Sequence, residues 1–186
     1  MTTRIAFVNG KVGVGKTTCS MLIAAALQNA GQSISLEDRD PQQSATNAAS
    51  IFGIPLGAGG NFIIVDTAPT IAQPATLEAI RTADLVVLVS TPSPLDLATT
   101  AATAQRILAE RTGPTRLLFN LVQTNNRFFT DMAETAREIP FPAFPHYLVR
   151  RTAYQTAQLY GWRALSPIHR EEIIQVATEI ALILPS

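Results

Sequence analysis

The chain contains only two lysines, Lys11 and Lys16, five positions apart, against twelve arginines. Arginine serves at the ordinary surface positions, so lysine kept at two neighbouring places suggests that a compact ammonium is needed there. Both lie in Gly10-Lys11-Val12-Gly13-Val14-Gly15-Lys16-Thr17, which fits the pattern of glycine, four residues, then Gly-Lys-Ser/Thr. In such a turn successive backbone N–H groups point inward, and the following helix adds a partial positive charge at its N-terminus. The chemistry this suits is the cradling of phosphates. Lys16 would neutralise the β- and γ-phosphates of ATP, and the Thr17 hydroxyl would ligate Mg²⁺.

Phosphate chemistry also needs carboxylates to hold the metal and place a water. Asp66 closes the apolar run Phe62-Ile63-Ile64-Val65, where an acid would reach Mg²⁺ through water. Asp38 and Asp40 end another strand-like segment, on the carboxyl edge of the sheet where ligands bind in open α/β folds.

These residues must be held by an alternation of strands and helices. Ile5–Val8 is a short buried run before the glycine turn, and a helix is expected from Lys16 to Asn29, ending at Gly31. Strands follow at Ser33–Glu37, Phe62–Val65, Leu85–Val89 and Arg116–Val122. Helices are expected at Gln42–Phe52, Pro74–Ala83, Leu95–Arg111, Phe128–Glu138, Arg151–Tyr160 and Arg170–Leu184. The prolines at 140, 142 and 145 leave room only for a short edge strand. The pattern predicts an α/β fold, a mostly parallel sheet flanked by helices, in one domain spanning 1–186.

Composition narrows the function classes. The 186 residues are 47% hydrophobic and 15% charged, with 14 basic and 14 acidic side chains, which excludes a disordered tail protein and a uniformly basic nucleic-acid binder. One cysteine, Cys19, allows neither an internal disulfide framework nor a four-cysteine metal site, and it reads as a small packed apolar residue. The start lacks the apolar stretch of a signal peptide, and no apolar run reaches about 18 residues. A cytoplasmic protein with no membrane span is expected.

The loop Lys11-Val12-Gly13-Val14-Gly15-Lys16-Thr17-Thr18 resembles the deviant Walker A loop of the ParA/MinD ATPases, usually Lys-Gly-Gly-x-Gly-Lys-Thr. Asp38-Arg39-Asp40-Pro41-Gln42 is similar to that family's Asp-x-Asp-Pro-Gln motif. Phe62–Pro69 resembles its Walker B segment, and Pro92-Ser93-Pro94-Leu95-Asp96 its following turn. Chain length points to the small ParA type. The resemblance implies a P-loop ATPase with weak intrinsic activity that binds ATP and Mg²⁺ and closes into an ATP-sandwiched dimer. Gly13, Val14, Gly15 and Thr18 would join Lys16 and Thr17 around the phosphates. Lys11 would be the signature lysine, reaching the partner's phosphates as a charge supplied in trans. Asp40 would orient the attacking water, and Asp38 and Asp66 would support the metal. For the adenine, the resemblance suggests Asn120 and Pro145.

Two features depart from the family. Val12 stands where the family has glycine, and its methyl groups would crowd two facing loops. ATP binding is expected to survive, with the dimer and hydrolysis weakened. Only 23 residues separate Gln42 from Asp66, so a segment that often meets partners is trimmed.

Between Ile139 and Arg170 there is no acidic residue, yet Arg150, Arg151, Arg163 and Arg170 are present. Such a stretch can neutralise DNA phosphates without reading bases. Together with the resemblance it implies nonspecific nucleoid DNA and a ParB-type adaptor as partners, in a switch for plasmid or chromosome partition or for cargo positioning. The last helix carries Ile173, Val176, Ala177, Ile180 and Leu184 at helical spacing beside Glu171, Glu172 and Glu179, which reads as core packing and not a membrane anchor. Tyr160 and Trp162 around Gly161 read as a packed helix end. The alternatives are a P-loop kinase or ligase acting on a small molecule, which needs no Lys11, and a non-hydrolysing nucleotide-binding module.

Overall fold

The computed structural model describes residues 2–124, 134 and 136–184. Five strands, β1 (Thr3–Val8), β2 (Ile34–Arg39), β3 (Phe62–Thr67), β4 (Leu85–Ser90) and β5 (Thr115–Phe119), form one parallel sheet in the order β2-β3-β1-β4-β5. Six helices are described: α1 (Lys16–Asn29), α2 (Ser44–Phe52), α3 (Pro74–Thr82), α4 (Pro94–Glu110), α5 (Thr152–Tyr160) and α6 (Pro167–Ile183). The result is an α/β fold, an all-parallel five-stranded sheet flanked by helices.

Side chains alternate across each strand and so build two cores. On one face Ile5, Phe7, Leu36, Ile64, Val87 and Leu118 pack under α1, α2, α5 and α6. On the other, Ala6, Val8, Val65, Leu88 and Phe119 pack under α3 and α4. The central strands are buried on both faces, which is why they read as unbroken apolar runs instead of alternating ones. Helix α1 is buried almost all round, from Cys19 to Leu27, because the sheet, α2 and α6 enclose it. It stops where Gly31 turns to φ +87°.

The register sets the site. Asp66 pairs with Phe7 of β1 on one side and with Asp38 of β2 on the other. The glycine loop therefore leaves β1 directly beside both acids, on the carboxyl edge of the sheet.

Several expectations are corrected. Strand β5 ends at Phe119 and not at Val122, because Leu121 takes a left-handed backbone at φ +55°. The proline-rich segment forms no strand and meets the sheet only through single bridges, Leu117 to Ala143 and Val122 to Val149. Prolines 140, 142 and 145 cannot donate to a ladder. The helix expected over Phe128–Glu138 falls mostly outside the described residues; its last three, Ala136–Glu138, form a single 3₁₀ turn. Helix α6 begins three residues before Arg170, with Pro167 at its first position, where a missing N–H costs nothing. Its face Ile173, Val176, Ala177 and Ile180 is buried against the core. Among the described residues no helix is long and apolar enough to cross a membrane. Gly161 does end α5, but Tyr160 before it is 71% exposed while Trp162 is partly buried.

Candidate functional site

The loop is anchored before it begins. Asn9, fully buried at the end of β1, donates its amide to the Val89 carbonyl at 2.7 Å and to the Thr100 hydroxyl at 2.9 Å. Its side-chain oxygen accepts from the Lys11 N–H at 2.9 Å. The turn itself needs left-handed backbone at Gly13 (φ +85°) and Gly15 (φ +89°), which glycine adopts without steric cost. At Gly15 space is a second reason, since a Cβ there would lie 2.1 Å from the Asn120 amide nitrogen.

Lys16 opens α1 and is 7% exposed. Its ammonium donates to the Lys11 carbonyl at 3.1 Å. Burial lowers its pKa, and the charges of Asp66 and Asp40 oppose that shift. Thr17 donates its hydroxyl to Asp66 at 2.7 Å, and Ser20 approaches the other oxygen of the same carboxyl at 3.3 Å. Asp66 is fully buried, which pushes its pKa up to about 7; the Thr17 hydrogen bond pulls against burial, and the Asp38 charge adds to it.

A Thr hydroxyl touching a buried carboxylate beside a phosphate loop is a hard-oxygen pair that fits Mg²⁺, with the remaining positions left to phosphate and water. Asp38 is committed elsewhere. One of its oxygens accepts the Asp40 N–H at 3.0 Å, and the other accepts the N–H and hydroxyl of Thr46 at 2.8 and 3.0 Å. Its carboxylate shapes the turn that carries Asp40 and ties that turn to α2. Asp40 itself is half-buried and faces the cavity.

That cavity, about 670 Å³, is lined by Val12, Gly13, Gly15, Lys16, Thr17 and Thr18 of the loop, by Asp40 and Gln42, and on the far wall by Asn120, Arg150, Arg151, Thr152, Tyr154 and Gln155. Pro145 is not among its walls, contrary to the expectation of an adenine contact. Phe144 donates to Leu117 and Leu148 to Phe119, so this segment still runs alongside β5 at Pro145 and reaches the carboxyl edge only at Arg150. The residues of α5 that do line the cavity, Thr152, Tyr154 and Gln155, were not singled out in the sequence, where an ordinary polar helix start carries no distinguishing signal.

Residues 5–162 match the CbiA family, the CobQ/CobB/MinD/ParA nucleotide binding domain. The chain belongs to this family. It is similar to the maintenance of carboxysome distribution protein A of Gloeobacter kilaueensis, at 32% identity over 178 residues, covering 84% of this chain and 81% of that protein. Its fold is similar to that of a plasmid partition protein of Borrelia burgdorferi bound to AMPPNP, with a TM-score of 0.78, 16% identity and coverage of 98% and 99%. It is similar also to the septum site-determining protein MinD of Pyrococcus horikoshii complexed with Mg-ADP, with a TM-score of 0.75, 15% identity and coverage of 97% and 96%. The ParA and MinD members of the CobQ/CobB/MinD/ParA family are ATPases.

Against that family background the second lysine behaves unlike the first. Lys11 does not line the cavity of its own chain. Its ammonium is paired with the Asp96 carboxylate in the first turn of α4, and the Thr91 hydroxyl holds the other Asp96 oxygen at 2.6 Å. Val12 beside it is 74% exposed.

The four arginines read from the sequence as one basic stretch are dispersed in function. Arg150 is at the cavity wall. Arg151 pairs with Glu172 of α6 at 3.2 Å, the carboxylate that also accepts the Val149 N–H. Arg170 stacks over Trp162, 5.9 Å from the ring centre, and donates to the Arg163 carbonyl at 3.2 Å. Arg163 is exposed. Glu172 and Glu179 reach back from α6 onto this stretch, so its surface is less positive than its sequence.

Proposed function

We propose that this chain is a ParA-type ATPase switch that positions a cargo, and that ATP closes two copies face to face. The observation that carries the reading is the division of labour between the lysines. Lys16 is buried over its own phosphate loop, while Lys11, five residues earlier, does not line its own cavity and is parked on Asp96, from which it would be released to serve a second copy. A kinase acting on a small molecule has no use for a lysine so placed.

In this reading the β- and γ-phosphates of ATP lie on the N–H groups of Gly13–Thr18, with Lys16 against them. Thr17 and Asp66 would hold Mg²⁺, which when bound would offset the phosphate charge. Asp40, held by its Asp38-bonded turn, would orient the attacking water. Lys11 of the facing copy would add positive charge where the transition state gathers negative charge. A change of assembly with each nucleotide cycle is the output. Nonspecific DNA would be bound through exposed arginines, Arg163 first among them, and a ParB-type adaptor would trigger hydrolysis. The name of the Gloeobacter relative makes a large protein cargo as natural as a plasmid.

Solution mass by light scattering tests the switch, with Mg²⁺ and either ADP or a slowly hydrolysed ATP analogue. The reading expects a larger species only with the ATP analogue, and ATP turnover that rises with DNA. A monomer in both nucleotides, with binding demonstrated, would refute it.

A further inference from the structure

Asn120 follows β5 and is 2% exposed. Its backbone N–H donates to the Ser90 carbonyl at 2.8 Å, which pins it to the end of β4. Its side-chain amide donates to the Val14 carbonyl, also at 2.8 Å, across 106 residues of chain. The same nitrogen sits where a side chain on Gly15 would have to be. The next residue, Leu121, bends the chain away in a left-handed conformation that leucine rarely adopts.

From this geometry we infer that Asn120 is a positioning residue of the phosphate loop. Val14 lies between two glycines in left-handed backbone, so its carbonyl belongs to the most freely rotating part of the turn. The glycines give the loop its shape and equally the freedom to lose it. A single buried donor on the one carbonyl between them fixes the orientation of the peptide groups on either side, whose N–H groups would face phosphate. The absence of a side chain at Gly15 lets that donor approach. One N–H of the amide is thereby committed to the loop.

The inference rests on the nucleotide-binding reading above, and its test separates the two. The full chain is titrated calorimetrically with Mg²⁺-ADP and with Mg²⁺-pyrophosphate, as wild type, Asn120→Ala and the isosteric Asn120→Asp, whose carboxylate cannot donate to Val14. Loss of one such hydrogen bond corresponds to about a tenfold weakening. Both ligands should weaken by the same factor in each variant, more in the aspartate variant. Hydrogen exchange should quicken in the loop peptide covering 10–16 and stay unchanged in the body of α1, a readout available even where a variant binds nothing. Weakening confined to ADP would overturn the inference, because a loop-positioning role acts on both ligands alike. Unchanged binding of both ligands, or unchanged loop exchange, would overturn it too. Wild-type protein that binds neither ligand would sink the nucleotide reading, and this inference with it.

Discussion

The ammonium of Lys11 rests on the Asp96 carboxylate of its own chain, and Thr91 grips that carboxylate from the other side. A lysine that must serve a second copy has first to leave this partner. The pair is partly exposed, at 28% and 16% of the two side chains, so its contribution is on the order of 1 kcal/mol or less. Asp96→Asn should therefore strengthen ATP-analogue-dependent association by about two- to fivefold at physiological salt. Sedimentation equilibrium of the two proteins would show it, and weaker or equal association would mean that Asp96 does not restrain Lys11.

Val12 makes a separate prediction, because its side chain is almost free within its own chain. Trimming it should leave the thermal midpoint nearly unchanged, as surface substitutions do. In a face-to-face pair of loops it would remove crowding that typically costs about 1–3 kcal/mol. Val12→Gly should tighten the ATP-analogue dimer by about tenfold or more. Light scattering over a concentration series is the check, and equal dimerisation of both proteins would show that the valine is no obstruction.

The arginines should respond unequally. Exposed Arg163 is the one expected to meet DNA phosphates, so Arg163→Ala should lower affinity on any sequence and reduce the slope of log affinity against log salt by about one. Arg151 is tied to Glu172, and removing it leaves that half-buried carboxylate without its cationic partner. Arg151→Ala should act mainly on the thermal midpoint. Fluorescence anisotropy on two unrelated duplexes, paired with thermal unfolding, separates these outcomes.

A pH prediction follows from the edge strand β2. Glu37 accepts two hydrogen bonds from the Arg4 fork at 3.0 and 2.8 Å and another from Arg39 at 2.9 Å. The Arg4 hydrogen bonds hold its carboxyl below the ordinary glutamate value, against the opposing effect of burial. A lowered folded-state pKa means that the folded protein binds the proton less readily than the unfolded chain. The resulting stability is fully present above the unfolded value of about 4.3 and is lost as pH falls through the folded one. Glu37→Gln should cost about 1.5 kcal/mol at pH 7 and flatten the acid side of the stability curve. Urea unfolding from pH 7 down to pH 3 would test it; parallel curves for the two proteins would refute the assignment.

What was legible in the sequence was what is local. Gly15-Lys16-Thr17 places its groups within one turn, and Asp66 announces itself by closing an apolar run. The strands themselves follow from apolar runs that each carries alone, while their order in the sheet does not. What was hidden depends on chain brought from far away. Asn9 finds Val89 and Thr100 some eighty and ninety residues on, and Asn120 finds Val14 across more than a hundred. An asparagine at a strand end looks the same in sequence whether it caps a turn or ties down a loop. Arginines 150 to 170 form an acid-free stretch on paper, but α6 folds Glu172 back onto Arg151. Pro145 was misplaced for a similar reason. How far a segment has climbed along β5 is fixed by bridges between Leu117 and Ala143 that no local pattern encodes.

Lys11 is held at three points: its N–H by Asn9, its ammonium by Asp96, and its carbonyl by the ammonium of Lys16. Any phosphate that recruits Lys16 competes for that last grip. The two lysines are thus wired in series, and the occupancy of one becomes a change in the tether of the other. On the proposed switch the message would pass directly through that ammonium–carbonyl contact, with no helix or strand required to shift. A chain with so small a trigger can report the arrival of its ligand to a neighbouring molecule while its own core stays still.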